Sequence, residues 1–199
     1  LPPRNLVEVL RDKARLSDLL GDTGLVPRTL RIVSSNLHDL HHDIATTFGY
    51  PCWVRSAHGS SGLGSLRVTS PEQLDAWLRV NRDISELIVS EYLPGRNLAC
   101  KLLYKQGELL VGACGERVSY IMSKVSPSGI IEALTTVCRK LNVEPHGFFT
   151  VDLKEDTEGR PYVTEINVRH VAFTEAFAAG GVNLAEYTVL AALDQEKRI

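Results

Sequence analysis

Apolar and polar positions alternate along this chain with two periods, and these mark out helices and strands. In residues 5–20, Leu6, Val9, Leu10, Leu16, Leu19 and Leu20 recur at helical spacing. One amphipathic helix is predicted there, with Arg11, Asp12, Lys13 and Arg15 on its charged face and Gly21 and Gly24 ending it. A short strand follows at 29–33, then a helix over 37–48, N-capped by Asn36 and closed by Gly49-Tyr50-Pro51. Strands at 52–55 and 66–68 flank the run HGSSGLGS. Pro71 stands in the first turn of a helix reaching Leu78, and 87–90 is an apolar strand. Segments 98–104 and 108–114 form a hairpin across Gln106-Gly107. A helix over 130–141 puts Ile131, Leu134, Val137, Cys138 and Leu141 on its core face, and helices at 173–179 and 184–193 close the chain. Hairpins mixed with helices predict an α+β fold.

The segment 147–169, GFFTVDLKEDTEGRPYVTEINVR, carries the clearest chemistry. Two β-forming runs, 148–153 and 162–166, flank a polar stretch containing Glu158-Gly159, which reads as a hairpin. Side chains alternate faces along a strand, so Thr150 shares a face with Asp152, and Glu165 with Asn167. A turn centred between Glu158 and Gly159 sets Asp152 opposite Glu165. Two facing carboxylates repel. A hard cation removes that cost, and Asn167 offers a further oxygen; magnesium, completing its shell with water and phosphates, suits such a set. The plain alternative is a solvated hairpin with chance acidic residues.

At 199 residues the chain can hold one large domain or two small lobes. A net charge of −2, without a long basic run, argues against nonspecific nucleic-acid binding and leaves room for a local basic pocket. Cys52, Cys100, Cys114 and Cys138 lack metal-ligand spacing; buried free thiols in a reducing cytoplasm are expected, although spacing leaves a disulfide open. No apolar run long enough to span a membrane and no signal peptide is visible. His38, His41 and His42 lie on one predicted helix, where an exposed polar face is expected rather than a metal site.

Residues 58–65 hold Gly59, Gly62 and Gly64 between two strands, where backbone N–H groups can approach an anion. There is no Gly-Lys-Ser/Thr and no helix follows, which excludes a Walker A loop and a dinucleotide fingerprint. A flap over a triphosphate and a plain mobile hairpin both fit. Arg55 and Lys13 are candidate phosphate contacts or ordinary surface charges. At Glu91–Gly95 a strand runs into a loop, where main-chain groups become free to pair with a purine edge.

Six stretches now line up: DKARLSDLLGDTGLVPRT (12–29), YPCWVRSAHGSSGLGSLRV (50–68), LIVSEYLPG (87–95), GFFTVDL (147–153), YVTEINVR (162–169) and AGGVNL (179–184). In this order they resemble an ATP-grasp ligase of the carbamoyl-phosphate-synthase-like, carboxylate–amine branch. The resemblance covers nearly the whole chain. It implies an α+β ATP-grasp fold across 1–199, with a smaller lobe at about 25–92, a larger lobe at about 93–199 and nucleotide bound between them. The same resemblance leads one to expect the family's amino-terminal domain outside these 199 residues.

By the same resemblance, Lys13 and Arg55 contact ATP phosphates, and Gly59, Ser60, Ser61, Gly62 and Gly64 form the flap. The backbones of Glu91 and Leu93 pair with adenine, with Tyr92 between them, and Asn97 stands at the ribose position. Asp152, Glu165 and Asn167 match the magnesium ligands, with manganese as the alternative ion. Arg169 faces the acyl phosphate and, with Arg55, is the expected catalytic group. Asn97 replaces a common Glu, Thr150 replaces an Arg that some members use, and the connection at 126–129 is short. The expected function is ATP-dependent activation of a carboxylate for attack by an amine; carboxyphosphate formation from bicarbonate and a non-catalytic ATP-binding module are the alternatives. Partners would be small-molecule substrates, not nucleic acid or membrane. A homodimer and a cytoplasmic location complete the expectation.

Overall fold

Eight strands in two antiparallel four-stranded sheets, with seven helices, make up the described chain, a computed structural model covering residues 1–32, 37–58, 62, 64–116, 128–171 and 174–195. It divides into two compact units, Asp12–Leu93, and Leu1–Arg11 with Pro94–Ile199.

In the unit Asp12–Leu93, β1 (Thr29–Ile32), β2 (Cys52–Ser56), β3 (Leu66–Val68) and β4 (Leu87–Glu91) run in the order β1-β4-β2-β3. The unit also holds α2 (Lys13–Leu20), α3 (Leu37–Thr47) and α4 (Pro71–Val80). Neighbouring residues of β4 serve opposite faces of the sheet. Val89 joins Leu40, Ile44, Cys52, Val54, Val68 and Leu74 in the core beneath α3 and α4, while Ile88 packs with Ala14 of α2 and Ala57.

In the other unit, β5 (Asn97–Lys105), β6 (Glu108–Glu116), β7 (Gly147–Glu155) and β8 (Pro161–Asn167) run in the order β6-β5-β7-β8. Helices α1 (Arg4–Leu10), α5 (Ser128–Lys140), α6 (Thr174–Ala179) and α7 (Leu184–Ala192) complete it. Leu103, Val111, Ala113 and Phe148 from the sheet form a core with Phe177 of α6 and Leu184 of α7. Each hairpin of this sheet carries a bulge. Leu110 is the extra residue between the pairs Leu103↔Val111 and Tyr104↔Leu109. Thr164 is the extra residue between Asp152↔Glu165 and Leu153↔Val163.

Most predicted elements form with ends shifted by a residue or two, and three readings need correction. The expected helix over 5–20 is two helices, α1 and α2. Asp12 leaves helical geometry (φ −109°, ψ 106°), and its carboxylate accepts from the N–H groups of Ala14 and Arg15, so a new helix starts at Lys13. Cys100 and Cys114, expected as free thiols, are direct partners on β5 and β6 and form a disulfide. Cys52 and Cys138 are free and buried, as expected. His41 is not an exposed helix residue either: its Nδ1 lies 3.2 Å from Tyr50 Oη and its Nε2 3.0 Å from Asp75 Oδ1. The proposed Asn36 cap and the start of the 126–129 connection lie outside the described residues.

Among the described glycines, Gly95 has the least room for a side chain. Its N–H donates to Glu155 O at 2.9 Å, and its carbonyl accepts from Lys154 Nζ at 2.6 Å. A Cβ there would lie 2.6 Å from Glu155 Cβ and 2.7 Å from Asp156 O. No helix among the described residues is long and apolar enough to cross a membrane.

Candidate functional site

The β7–β8 pairing brings three oxygen-bearing side chains together. Asp152 pairs with Glu165, and Thr150 with Asn167, so all four share one face. The turn itself is off-centre: Glu155 pairs with Pro161, and Asp156 Oδ1 accepts from the N–H groups of Glu158 and Arg160 at 2.9 Å. The Thr164 bulge absorbs that offset and restores the Asp152–Glu165 match. Asp152 is 9% exposed, whereas Glu165 and Asn167 are half-buried. Two carboxylates and an amide oxygen on one sheet face are the donor set of a hard divalent cation.

The neighbouring strand extends this face. Lys101 of β5 is the direct partner of Thr150, and Ala99 of Asp152. Lys101, Thr150 and Asn167 thus form one row, and Ala99, Asp152 and Glu165 the next. Lys101 is 1% exposed; its ammonium donates to Thr174 Oγ1 at 2.8 Å and lies 5.1 Å from the Phe177 ring centre. Sequence reading missed it. The available signal was a lysine inside the apolar run LACKLLY, which a strand buries on both faces.

Beyond β8 the chain turns under Thr150, whose hydroxyl donates to Arg169 O at 3.1 Å. Arg169 is exposed, and its guanidinium donates to His170 O at 3.3 Å. The His170 ring stacks on Phe148, with centres 3.7 Å apart and planes 18° apart. Burial, and after it the charge of Lys101, hold its pKa below the ordinary histidine value. His170 too was overlooked in the sequence.

The unit Asp12–Leu93 holds the remaining candidates. Lys13 opens α2, is 7% exposed, and donates its backbone N–H to Ala57 O at 3.0 Å. Arg55 lies on β2 opposite Ile88, half-buried. Gly62 and Gly64 adopt φ of +70° and +68°, conformations that suit glycine. Gly59, Ser60 and Ser61 lie outside the described residues.

At the far end of β4, Glu91 is clamped by Arg28. Its carboxylate accepts from the Arg28 N–H at 2.8 Å, from Nε at 2.9 Å and from a terminal nitrogen at 2.6 Å. Its own N–H donates to Arg28 O at 3.0 Å. The Arg67 guanidinium lies 4.8 Å from the Tyr92 ring centre, and Leu93 is 7% exposed. Asn97, at the start of β5, is exposed opposite Lys154.

Among the described residues, one further group, Asp12, His58 and Glu86, has ligand atoms within 4.8 Å of one another. His58 Nε2 meets Glu86 Oε2 at 3.0 Å. Arg31 bonds the other oxygen of Glu86 and reaches Asp18. Arginine therefore already balances the charge there.

The family model described as "D-ala D-ala ligase C-terminus" matches residues 27–122. The vancomycin/teicoplanin A-type resistance protein VanA of Enterococcus faecium is 26% identical over 172 residues, covering 72% of this chain and 50% of that protein. D-alanine--D-alanine ligase of Mycobacterium tuberculosis is 32% identical over 107 residues, 53% of this chain and 29% of that protein. The chain spans about half the length of the first two curated relatives it matches, 50% and 54%. Among solved structures, the D-alanine-D-alanine ligase of Coxiella burnetii superposes with a TM-score of 0.73 at 19% identity, covering 94% of this chain and 58% of the other. N5-carboxyaminoimidazole synthase of Aspergillus clavatus gives a TM-score of 0.78 at 16% identity, covering 98% and 54%.

Proposed function

We propose that the chain is an ATP-grasp ligase of the carboxylate–amine branch, as its similarity to D-alanine ligases supports, and that it uses ATP to turn a carboxylate into an acyl phosphate, which an amine then attacks. The single observation that carries this reading is the β7–β8 register, which sets Asp152 beside Glu165 with Asn167 one row along. These three residues would hold magnesium, with manganese as the alternative. The ion would screen the phosphate oxygens and help orient them.

The remaining work falls to the chain's own residues. Arg55 and Lys13 offset the phosphate charge as it redistributes during transfer to the carboxylate oxygen. Gly59, Ser60, Ser61, Gly62 and Gly64 contribute backbone N–H groups to the triphosphate. The carbonyl of Glu91 and the N–H of Leu93 take the adenine edge. On β2 and β4, Cys52 partners Glu91 and Arg55 partners Ile88. That separates the purine corner from the phosphate cation by about 10 Å along one strand, a span that suits a nucleotide. Asn97 would meet the ribose, and Arg169 would steady the acyl phosphate.

Small-molecule amino acids are the proposed substrates, since the curated relatives are named as D-alanine ligases. A homodimer in the cytoplasm belongs to the same proposal. The second reading, carboxyphosphate formation from bicarbonate, draws on the N5-carboxyaminoimidazole synthases and on a 2-oxoglutarate carboxylase domain whose structure contains MgADP and bicarbonate. ADP release from Mg·ATP with D-alanine, L-amino acids and bicarbonate tests both. If the chain binds Mg·ATP but none of these provokes turnover, the ligase reading falls and a nucleotide-binding module replaces it.

A further inference from the structure

Nδ1 of His170 is buried and has no hydrogen-bond partner among the described residues. Its surroundings fix its chemistry. The other ring nitrogen, Nε2, lies 3.2 Å from Thr188 Oγ1. Thr188 has a single hydroxyl proton, already donated to Leu184 O at 2.8 Å. The Thr188 oxygen must therefore accept from Nε2–H. His170 is the Nε2–H tautomer, and Nδ1 is a bare lone pair. Stacking on Phe148 keeps the ring from turning away. A buried acceptor without a donor costs free energy, and such exceptions require an explanation.

Its location supplies one. Phe148, Thr150 and Asp152 alternate onto one face of β7, the face that also carries Lys101, Asn167 and Glu165. His170 covers the Phe148 end of that face and follows Arg169 directly in the chain. Lys101 from β5 is the charged neighbour acting on the ring, β7 presents Phe148, and α7 presents Thr188. Burial and the Lys101 charge both favour the neutral ring, so the lone pair is available at neutral pH. The residue as a whole is half-exposed, so an incoming group has one edge of the ring to uncover.

We propose that His170 Nδ1 accepts the proton of the attacking amine and is the general base of the second half-reaction. The inference rests on the ligase reading above. The amine nitrogen forms a bond to the acyl carbon. The bond from that carbon to the phosphate oxygen breaks, and its electron pair leaves with the phosphate. One N–H proton passes to Nδ1 and is then released to phosphate or solvent. Nitrogen becomes strongly acidic once it has attacked, so a base of modest strength suffices. The amine N–H is the donor that Nδ1 lacks.

Two nucleophiles test this on the full chain with Mg·ATP, using D-alanine and L-alanine as carboxylate and amine. Hydroxylamine traps an acyl phosphate as a hydroxamate; it attacks from solution, where water and buffer take the proton it loses, so it does not need the positioned base. H170Q keeps a donor toward Thr188 and lacks the base. Its amide formation is expected to fall about 100-fold or more, with hydroxamate formation retained and the acidic limb of the amide pH profile lost. T188V, which frees Nε2 and with it the tautomer, is expected to show a smaller loss of the same kind. Unchanged amide formation in H170Q overturns the proposal, and so does an equal fall in both products. A wild-type chain that forms neither product overturns the ligase reading and the base with it. That result is distinct from failure of the base alone, in which wild type forms the hydroxamate.

Discussion

Asp152 and Glu165 are direct cross-strand partners, one carboxylate beside the other on the same face of β7 and β8. An arrangement that favours a bound cation should show it energetically. Glu165→Gln is expected to leave the fold intact while abolishing the magnesium-dependent part of ATP-induced thermal stabilisation, and to reduce turnover sharply. Melting curves with ATP, with and without magnesium, measure this. A variant that keeps the full magnesium effect would remove Glu165 from the cation site.

Gly95→Ala should be severely destabilising. Its Cβ would meet Glu155 Cβ at 2.6 Å and the backbone oxygen of Asp156 at 2.7 Å. Backbone cannot step aside as a side-chain tip can, so the expected loss exceeds about 2 kcal/mol. Urea denaturation gives the number; a change within experimental error would show that the bend at Gly95 has more room against the end of β7.

The Arg96–Glu155 pair predicts a pH dependence. Glu155 is 5% exposed and accepts from Arg96 Nε at 2.8 Å and from a terminal nitrogen at 2.7 Å. The hydrogen bond to Arg96 holds its carboxyl below the usual value. A carboxylate with a depressed folded pKa contributes stability that is present above the unfolded value, about 4.3, and is lost as pH falls toward the folded one. Arg96→Met is expected to flatten this acid limb and to cost roughly 2 kcal/mol at pH 7, less than for a fully buried pair because Arg96 is half-exposed. Melting temperatures from pH 3 to 7 for both proteins decide it; parallel curves would assign the acid limb to other groups.

Tyr104→Phe should be neutral or stabilising. The Tyr104 hydroxyl is buried without a partner among the described residues, and burial pushes its pKa up to about 12. The ring meets Phe149 edge-on at 6.0 Å, a contact that phenylalanine keeps. Deleting the orphaned hydroxyl should gain up to about 1 kcal/mol. A clear loss of stability would show that the hydroxyl has a partner after all.

The Asp152–Glu165 pairing was legible because period-two alternation and a Glu-Gly turn fix a register to within one residue, and the bulge happened to restore the assumed one. The Cys100–Cys114 disulfide was hidden by the same kind of device. A simple turn at Gln106-Gly107 would set Cys100 opposite Ala113, and only the Leu110 bulge moves it onto Cys114. The break at Asp12 was unreadable because both flanking segments have the same helical period, and the bond from Lys13 to Ala57 that holds the second helix in place spans distant sequence. Lys101 and His170 were passed over for a related reason. Their roles depend on burial and on neighbours from other elements, none of which a local pattern encodes.

The extra residue at Thr164 uncouples the tip of its hairpin from the strands below. Between Glu155 and Pro161 the connection can keep whatever spacing its Asp156-anchored turn prefers, because the mismatch is taken up before Glu165 is reached. Excising Thr164 alone would leave Val163 opposite Leu153 and Glu165 opposite Asp152 in a regular ladder, so the carboxylate pair keeps its match. Shortening the tip by one residue leaves that lower register available. A single deletion between Pro161 and Glu165 should therefore be absorbed by straightening the bulge, whereas removing Ile166 would send Asn167 to the far side of the ribbon.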